Sequence, residues 1–238
     1  MKLDILVFAA HPDDAELACS GTIAAQISAG YTCGIVDLTK GEMGTRGTPE
    51  LRIKEAEKSA EILGLKVREN LGFADVKFLN DLEHQLEVIK MIRKYQPKII
   101  LANAVRDRHP DHGKAAEVIQ QAFFKSGLRK LPTELDGKEQ EPYRAEKLYH
   151  YIQNDYIEPD FIVDISGFWD KKINSIMAFE SQFYNPESDE PSTFISSAGF
   201  MEFIEARAKE LGHRIGVKYG EGFTMSTTPG VYDLFSLV

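Results

Sequence analysis

Two short runs of the chain hold residue types able to bind a metal and move a proton. His11-Pro12-Asp13-Asp14-Ala15-Glu16 offers one imidazole beside two adjacent carboxylates, and Arg106-Asp107-Arg108-His109-Pro110-Asp111-His112 adds two further imidazoles. Divalent zinc accepts His nitrogen and carboxylate oxygen, and a catalytic zinc site keeps three protein ligands with a fourth position open for water. His11, Asp14 and His112 suit that set. Asp13 and Asp14 are neighbours whose side chains diverge, so one can ligate while the other stays free as a base. His109, three residues before a proposed ligand, then falls beside the open position. An Asp between a strand and a helix is often only an N-cap, and for either Asp alone that reading competes equally. Two His-Pro-Asp clusters together favour a metal centre.

The elements that must carry these clusters follow from pattern. Leu3–Ala10 is an apolar run suited to a strand buried on both faces, and Ala15–Ala29 follows with small and apolar residues at helical spacing. Thr32–Thr39 reads as a second strand. Pro49–Leu63 reads as a helix with Thr48 as N-cap, proline at its first position and Gly64 closing it. Val67–Phe73 is a weaker strand, and Asn80 with Glu83 forms a capping box for a helix ending at Tyr95. Lys98–Ala102 is a buried strand leading into the polar loop Arg106–His112, followed by a helix over Lys114–Lys125. Leu131–Tyr143 reads as an exposed loop, Lys147–Gln153 and Phe161–Ile165 as strands, and Phe168–Phe183 and Gly199–Leu211 as helices.

Strands alternating with helices imply an α/β fold, Rossmann-like, with a mostly parallel sheet covered on both faces and the site at the C-terminal ends of its strands. Residues 1–238 read as one domain, within the size range of a single core. If the first and fourth strands are neighbours, both clusters meet at the topological switch point.

Other features carry less. His84 lies among Glu83, Gln85 and Glu87 and reads as a solvated-face residue; His150, between Tyr149 and Tyr151, reads as packing; His213 reads as a residue near a helix end. The glycine-rich run Gly41–Gly47 lacks the phosphate-loop pattern, and the first turn lacks the glycine fingerprint of dinucleotide binding. A net charge of -9 without a dense basic stretch disfavours nucleic acid. No apolar run approaches the roughly 20 residues of a membrane helix, and the N-terminal run is too short and too charged for a secretion signal. Cys19 and Cys33 are too few for a disulfide framework, so the expectation is a cytoplasmic protein without membrane or nucleic-acid partners.

At His11–Glu16 and His109–His112 the sequence resembles the PIG-L/LmbE-like zinc N-deacetylases, and the resemblance extends through Gly41–Arg52 and Arg207–Phe223. It implies zinc on His11, Asp14 and His112, Asp13 as general base and a protonated His109 assisting the oxyanion. It also implies that Arg52 and Asp75 contact the sugar or its aglycone. The substrate so implied is a small N-acetylglucosamine conjugate, foremost N-acetylglucosaminyl malate of bacillithiol biosynthesis, with chitin oligomers as the alternative. On this reading Arg52 holds the malyl carboxylate, with Arg46 and Arg106 next in line. One zinc per chain, replaceable by iron(II), and a homo-oligomer such as a hexamer complete the expectation. Rival readings are a non-haem iron oxygenase, whose ligands are also two His and a carboxylate, and a silent metal-containing sugar-binding module. Oxygen consumption and acetate release, respectively, discriminate them.

Overall fold

A computed structural model of the chain describes residues 1–236. Strand β1 (Ile5–Ala9) lies at the centre of a seven-stranded sheet, between β2 (Cys33–Thr39) and β4 (Ile99–Ala102). Beyond β2 lies β3 (Val67–Phe73), and beyond β4 lie β7 (Lys147–Tyr151), β9 (Gly220–Thr224) and β8 (Phe161–Asp164), in that order. β1, β2, β3, β4 and β7 pair in parallel, and β9 runs antiparallel to both its neighbours. The fold is α/β and Rossmann-like, with a mostly parallel sheet. Two short strands, β5 (Glu134–Leu135) and β6 (Lys138–Glu139), form a hairpin inside the segment expected as loop.

The alternation along β1 explains the layers, because successive side chains of a strand point to opposite faces. Leu6 and Phe8 join a core with Val88, Ile89 and Ile92 of α3 (Leu82–Tyr95) and Ala115, Val118 and Ile119 of α4 (Pro110–Lys125). Ile5, Val7 and Ala9 face the other way, onto Ala15, Ala18, Cys19 and Ile23 of α1 (Asp14–Ser28). A strand buried on both faces has little room for polar residues, hence its unbroken apolar run. Helix α2 (Pro49–Leu63) has the Thr48 cap, Pro49 start and Gly64 stop that its sequence specifies.

Several boundaries differ from expectation. The cap of α3 is Asp81 rather than Asn80, its side chain accepting from the His84 amide, and Asn80 instead accepts from Gln85 Nε2. α4 begins at Pro110, a turn earlier than its apolar periodicity suggests, because His109 caps it and proline supplies the first residue. α5 (Trp169–Met177) stops well short of Phe183, and α6 runs Phe200–Arg214. Among the described residues no helix is long and apolar enough to cross a membrane.

Candidate active site

β1 and β4 are adjacent and parallel, pairing Ile5 with Ile99 and Val7 with Leu101, so the loops that follow them leave the same edge of the sheet. This is the switch-point geometry expected of a ligand site. Asn103, just past β4, joins the loops: its Oδ1 accepts from the Ala10 amide at 2.9 Å, and its Nδ2 donates to Asp14 Oδ2 at 3.0 Å.

Asp14 sits between two imidazoles. His11 Nδ1 lies 3.6 Å from Asp14 Oδ2, and His112 Nε2 lies 3.0 Å from Asp14 Oδ1. The remaining nitrogen of each imidazole is held by another carboxylate. His11 Nε2 lies 3.0 Å from Asp75 and 3.5 Å from Asp111, while His112 Nδ1 lies 2.6 Å from Asp107. Carboxylates behind the outer nitrogens fix ring orientation and raise basicity, as is usual around histidines that bind metals. Although burial alone would lower both imidazoles, Asp111, Asp14 and Asp75 raise His11 well above its ordinary value, and Asp14 and Asp107 raise His112 to about 9. Three imidazole nitrogens, from His11, His109 and His112, also come within 4.8 Å of one another, so a cation could reach His109 as well. The donor chemistry fits zinc.

Asp13 occupies the cap position of α1 with φ 119°, a backbone region that disfavours side-chain-bearing residues and costs about 1–3 kcal/mol. Its side chain makes no capping bond, so the simple N-cap reading does not hold. Instead Oδ2 accepts from Arg52 at 2.9 Å inside the cavity wall. Burial pushes the Asp13 carboxyl up to about 7, against the pull of the Arg52 guanidinium.

His109 stands with its ring 4.8 Å from that of His11, edge to face, and 5.1 Å from that of His112. Its Nδ1 accepts the Asp111 amide at 3.3 Å, which leaves the neutral ring's proton on Nε2. Burial and the two neighbouring imidazoles lower its pKa. That direction favours the neutral ring, which still carries an N–H donor on Nε2.

The two residues assigned to substrate by resemblance are engaged with the protein. Arg52, 5% exposed, donates from Nη2 to both Asp13 and the Pro12 carbonyl, while Nε is buried without a partner and Nη1 makes no hydrogen bond to the protein. A Cβ on Gly41 would collide with Arg52 Nη1, so the turn at Gly41 (φ +64°) needs glycine for this guanidinium to pass. Asp75 places one carboxylate oxygen on His11 and accepts the Met43 amide with the other, so its contacts position an imidazole. Of the further arginines expected, Arg46 pairs with Ser188 and Glu190, and Arg106 donates to the Tyr156 carbonyl. Neither lines the cavity; Arg108 and Arg207 do.

Asp107, Asp111, Asn103 and Gln153 also hold the site together, and no sequence motif assigns them that role. The first two lie inside the second polar cluster and the third directly follows the strand before it, so position is the available signal. Gln153 Nε2 donates to Asp14 Oδ1 at 3.1 Å, and nothing in its local sequence marks that contact. His150 is buried with Nδ1 2.8 Å from the Asn103 carbonyl, a packing role as read.

The family model described as "PIG-L: GlcNAc-PI de-N-acetylase" matches residues 6–123, which carry both clusters. A crystal structure of a conserved protein from Thermus thermophilus is 38% identical and superposes with a TM-score of 0.87 over 98% of each chain. The chain belongs to the PIG-L family. Among curated PIG-L relatives, the diacetylchitobiose deacetylase of Thermococcus kodakarensis is 28% identical over 96% of this chain and 84% of its own. A probable N-acetyl-α-D-glucosaminyl L-malate deacetylase of Bacillus cereus is 28% identical over 76% of this chain and 84% of that protein. The 4-oxalmesaconate hydratase of Pseudomonas putida is also 28% identical, over 74% and 73% respectively.

Proposed function

We propose that this PIG-L protein is a metal-dependent N-deacetylase that hydrolyses the acetamide of an N-acetylglucosamine conjugate to acetate and a free amine. The observation that carries the reading is the Asp14 carboxylate flanked by His11 and His112, each backed by its own carboxylate, beside a buried Asp13 free of capping duty. Zinc held by His11, Asp14 and His112, one per chain, would supply Lewis-acid polarisation of the acetyl carbonyl and of the attacking water. Asp13 accepts the water proton, Arg52 keeping its carboxylate aimed, and returns it to the departing amine. His109 donates its Nε2–H to the oxygen on which negative charge develops, an arrangement worth about 3–4 kcal/mol where a single donor has been removed in other enzymes. The deacetylase relatives support an N-acetylated sugar as substrate. Among conjugates, the malyl one implied by resemblance would use Arg52, which lines the cavity and spends only Nη2 on Asp13 and the Pro12 carbonyl.

A second reading, hydration of a carbon–carbon double bond, is favoured by the hydratase relative, since a metal and a base also activate water for addition. Incubating the zinc-loaded protein with N-acetylglucosamine conjugates and with 4-oxalmesaconate separates the two. Equal yields of acetate and free amine, with no loss of the unsaturated acid, support deacetylation; the reverse pattern overturns it.

A further inference from the structure

The cavity that holds the imidazoles has a volume of about 370 Å³ and two unlike wings. One is polar, walled by Gly44, Thr45 and Asp75 with Arg52, whose Nη1 makes no hydrogen bond to the protein. The other is apolar and begins on α1 beside the reaction centre. Leu17 and Ala18 stand three and four residues past Asp14, so they share a helix face with that proposed ligand. Ile204, Ala208 and Leu211 of α6 add to this wall at helical spacing, and Ile152 adds to it just past β7. Ile152 and Leu211 converge: their Cδ1 atoms lie 3.1 and 3.4 Å from where a Cβ on Gly222 would stand.

The charged groups that reach the apolar wing are spent on the protein. Lys172 Nζ donates to Glu221 Oε1 at 2.8 Å and to the Leu17 carbonyl, and Glu221 accepts the Gly21 and Thr22 amides. Arg207 lays its guanidinium over Phe203 and donates to the Asn154 carbonyl. Sugar hydroxyls set against Leu17, Ala18 and Ile204 would give up water without gaining partners. A methylene set there gains about fourfold in affinity. The reaction says which end of the amide enters each wing. Asp13 returns its proton to the departing amine and is held by Arg52, so the amine and its sugar lie on the Arg52 side. In a planar trans amide the acyl chain points away from the nitrogen substituent, which directs it along the Leu17 and Ala18 face.

We infer that the apolar wing between α1 and α6 receives the acyl chain, and that the protein also removes N-acyl groups longer than acetyl, such as butanoyl, with Ala18 and Ala208 setting the room for the chain. Water adds to the acyl carbonyl carbon, the C–N bond breaks with its electron pair on nitrogen, and the water proton reaches the amine through Asp13, leaving a short-chain carboxylate and a free amine. The inference rests on the deacetylase reading and adds a further activity to the same site.

The test is amine release by the zinc-loaded protein from methyl glucosaminides carrying N-acetyl, N-butanoyl or N-hexanoyl groups. From acetyl to butanoyl, kcat/KM is expected to rise about tenfold. The gain should lie in KM rather than kcat, because the wall touches the chain equally before and during reaction. Calorimetric binding of the same series to the turnover-blocked Asp13→Asn protein should follow the same order. Ala18→Met and Ala208→Met, made separately, extend side chains into the wing. Each is expected to erase the butanoyl advantage while acetyl kcat/KM stays within about twofold, which also shows that the variant folds. A kcat/KM that does not rise from acetyl to butanoyl overturns the inference and leaves the deacetylase reading standing. A chain-length preference that survives both substitutions overturns it as well. If no member of the series is cleaved, both fall.

Discussion

Asp13 and Asp14 are consecutive and both buried, yet their surroundings divide the work between them. Asp14 is held well below the usual carboxylate range: burial would raise it, but His112 and His11 outweigh burial. Asp13, facing Arg52, is raised by its burial. Asp14→Ala should therefore lose metal and turnover together. Asp13→Asn should keep its metal and lose about 10²- to 10⁴-fold in acetate release, checked by elemental analysis beside an acetate assay. The base works only as carboxylate, so turnover should fall as pH drops through the Asp13 pKa, and a bound cation would move that limb below 7. Arg52→Gln removes the guanidinium that favours the charged form, so the acidic limb of the kcat profile should move up in pH. The same change leaves Asp13 buried without its partner and should cost about 3–5 kcal/mol in chemical denaturation. An unshifted limb would mean that Arg52 acts on substrate instead. Sequence exposed the ligand types at this scale because metal chemistry restricts them. It could not expose the Arg52–Asp13 pair, which depends on a turn at Gly41 and a guanidinium reaching across from α2.

At the scale of elements, the apolar periods of β1, β2, β4 and the helices between them made most of the doubly wound core legible. Strand β9 was not legible as one. Its sequence, Gly-Glu-Gly-Phe-Thr, has glycines where strand formers are usual. Those glycines answer to packing: a Cβ on Gly220 would lie 2.9 Å from the Gly212 backbone nitrogen, where α6 presses on the sheet. Gly220→Ala should cost about 1–3 kcal/mol by overpacking, measured as a lower denaturation midpoint. Because no hydrogen bond or ion pair among the described residues links α6 to the proposed ligands, zinc content should not change. Loss of metal with this substitution would show that α6 and the site are more tightly linked than their contacts indicate. The early start of α4 was hidden for a related reason. His109 and Pro110 look like chemistry and loop in sequence, and they serve as cap and first turn in the fold.

For the whole molecule, one topological fact joins two clusters nearly a hundred residues apart: β1 and β4 are neighbours, so both clusters emerge at one sheet edge. The sequence pattern implied this through the common strand order, and hydrogen bonds from Asn103 to Ala10 and Asp14 secure it. The carboxylates Asp14, Asp75, Asp107 and Asp111 surrounding His11 and His112 form a highly charged buried cluster, for which a divalent cation is a natural counter-ion. The most direct test is a zinc titration of chelator-treated protein with acetate release from an N-acetylglucosamine conjugate as the readout. The account predicts negligible release without metal and a linear rise that breaks at one zinc per chain. Full release from metal-free protein, or no release at any zinc level, would contradict it.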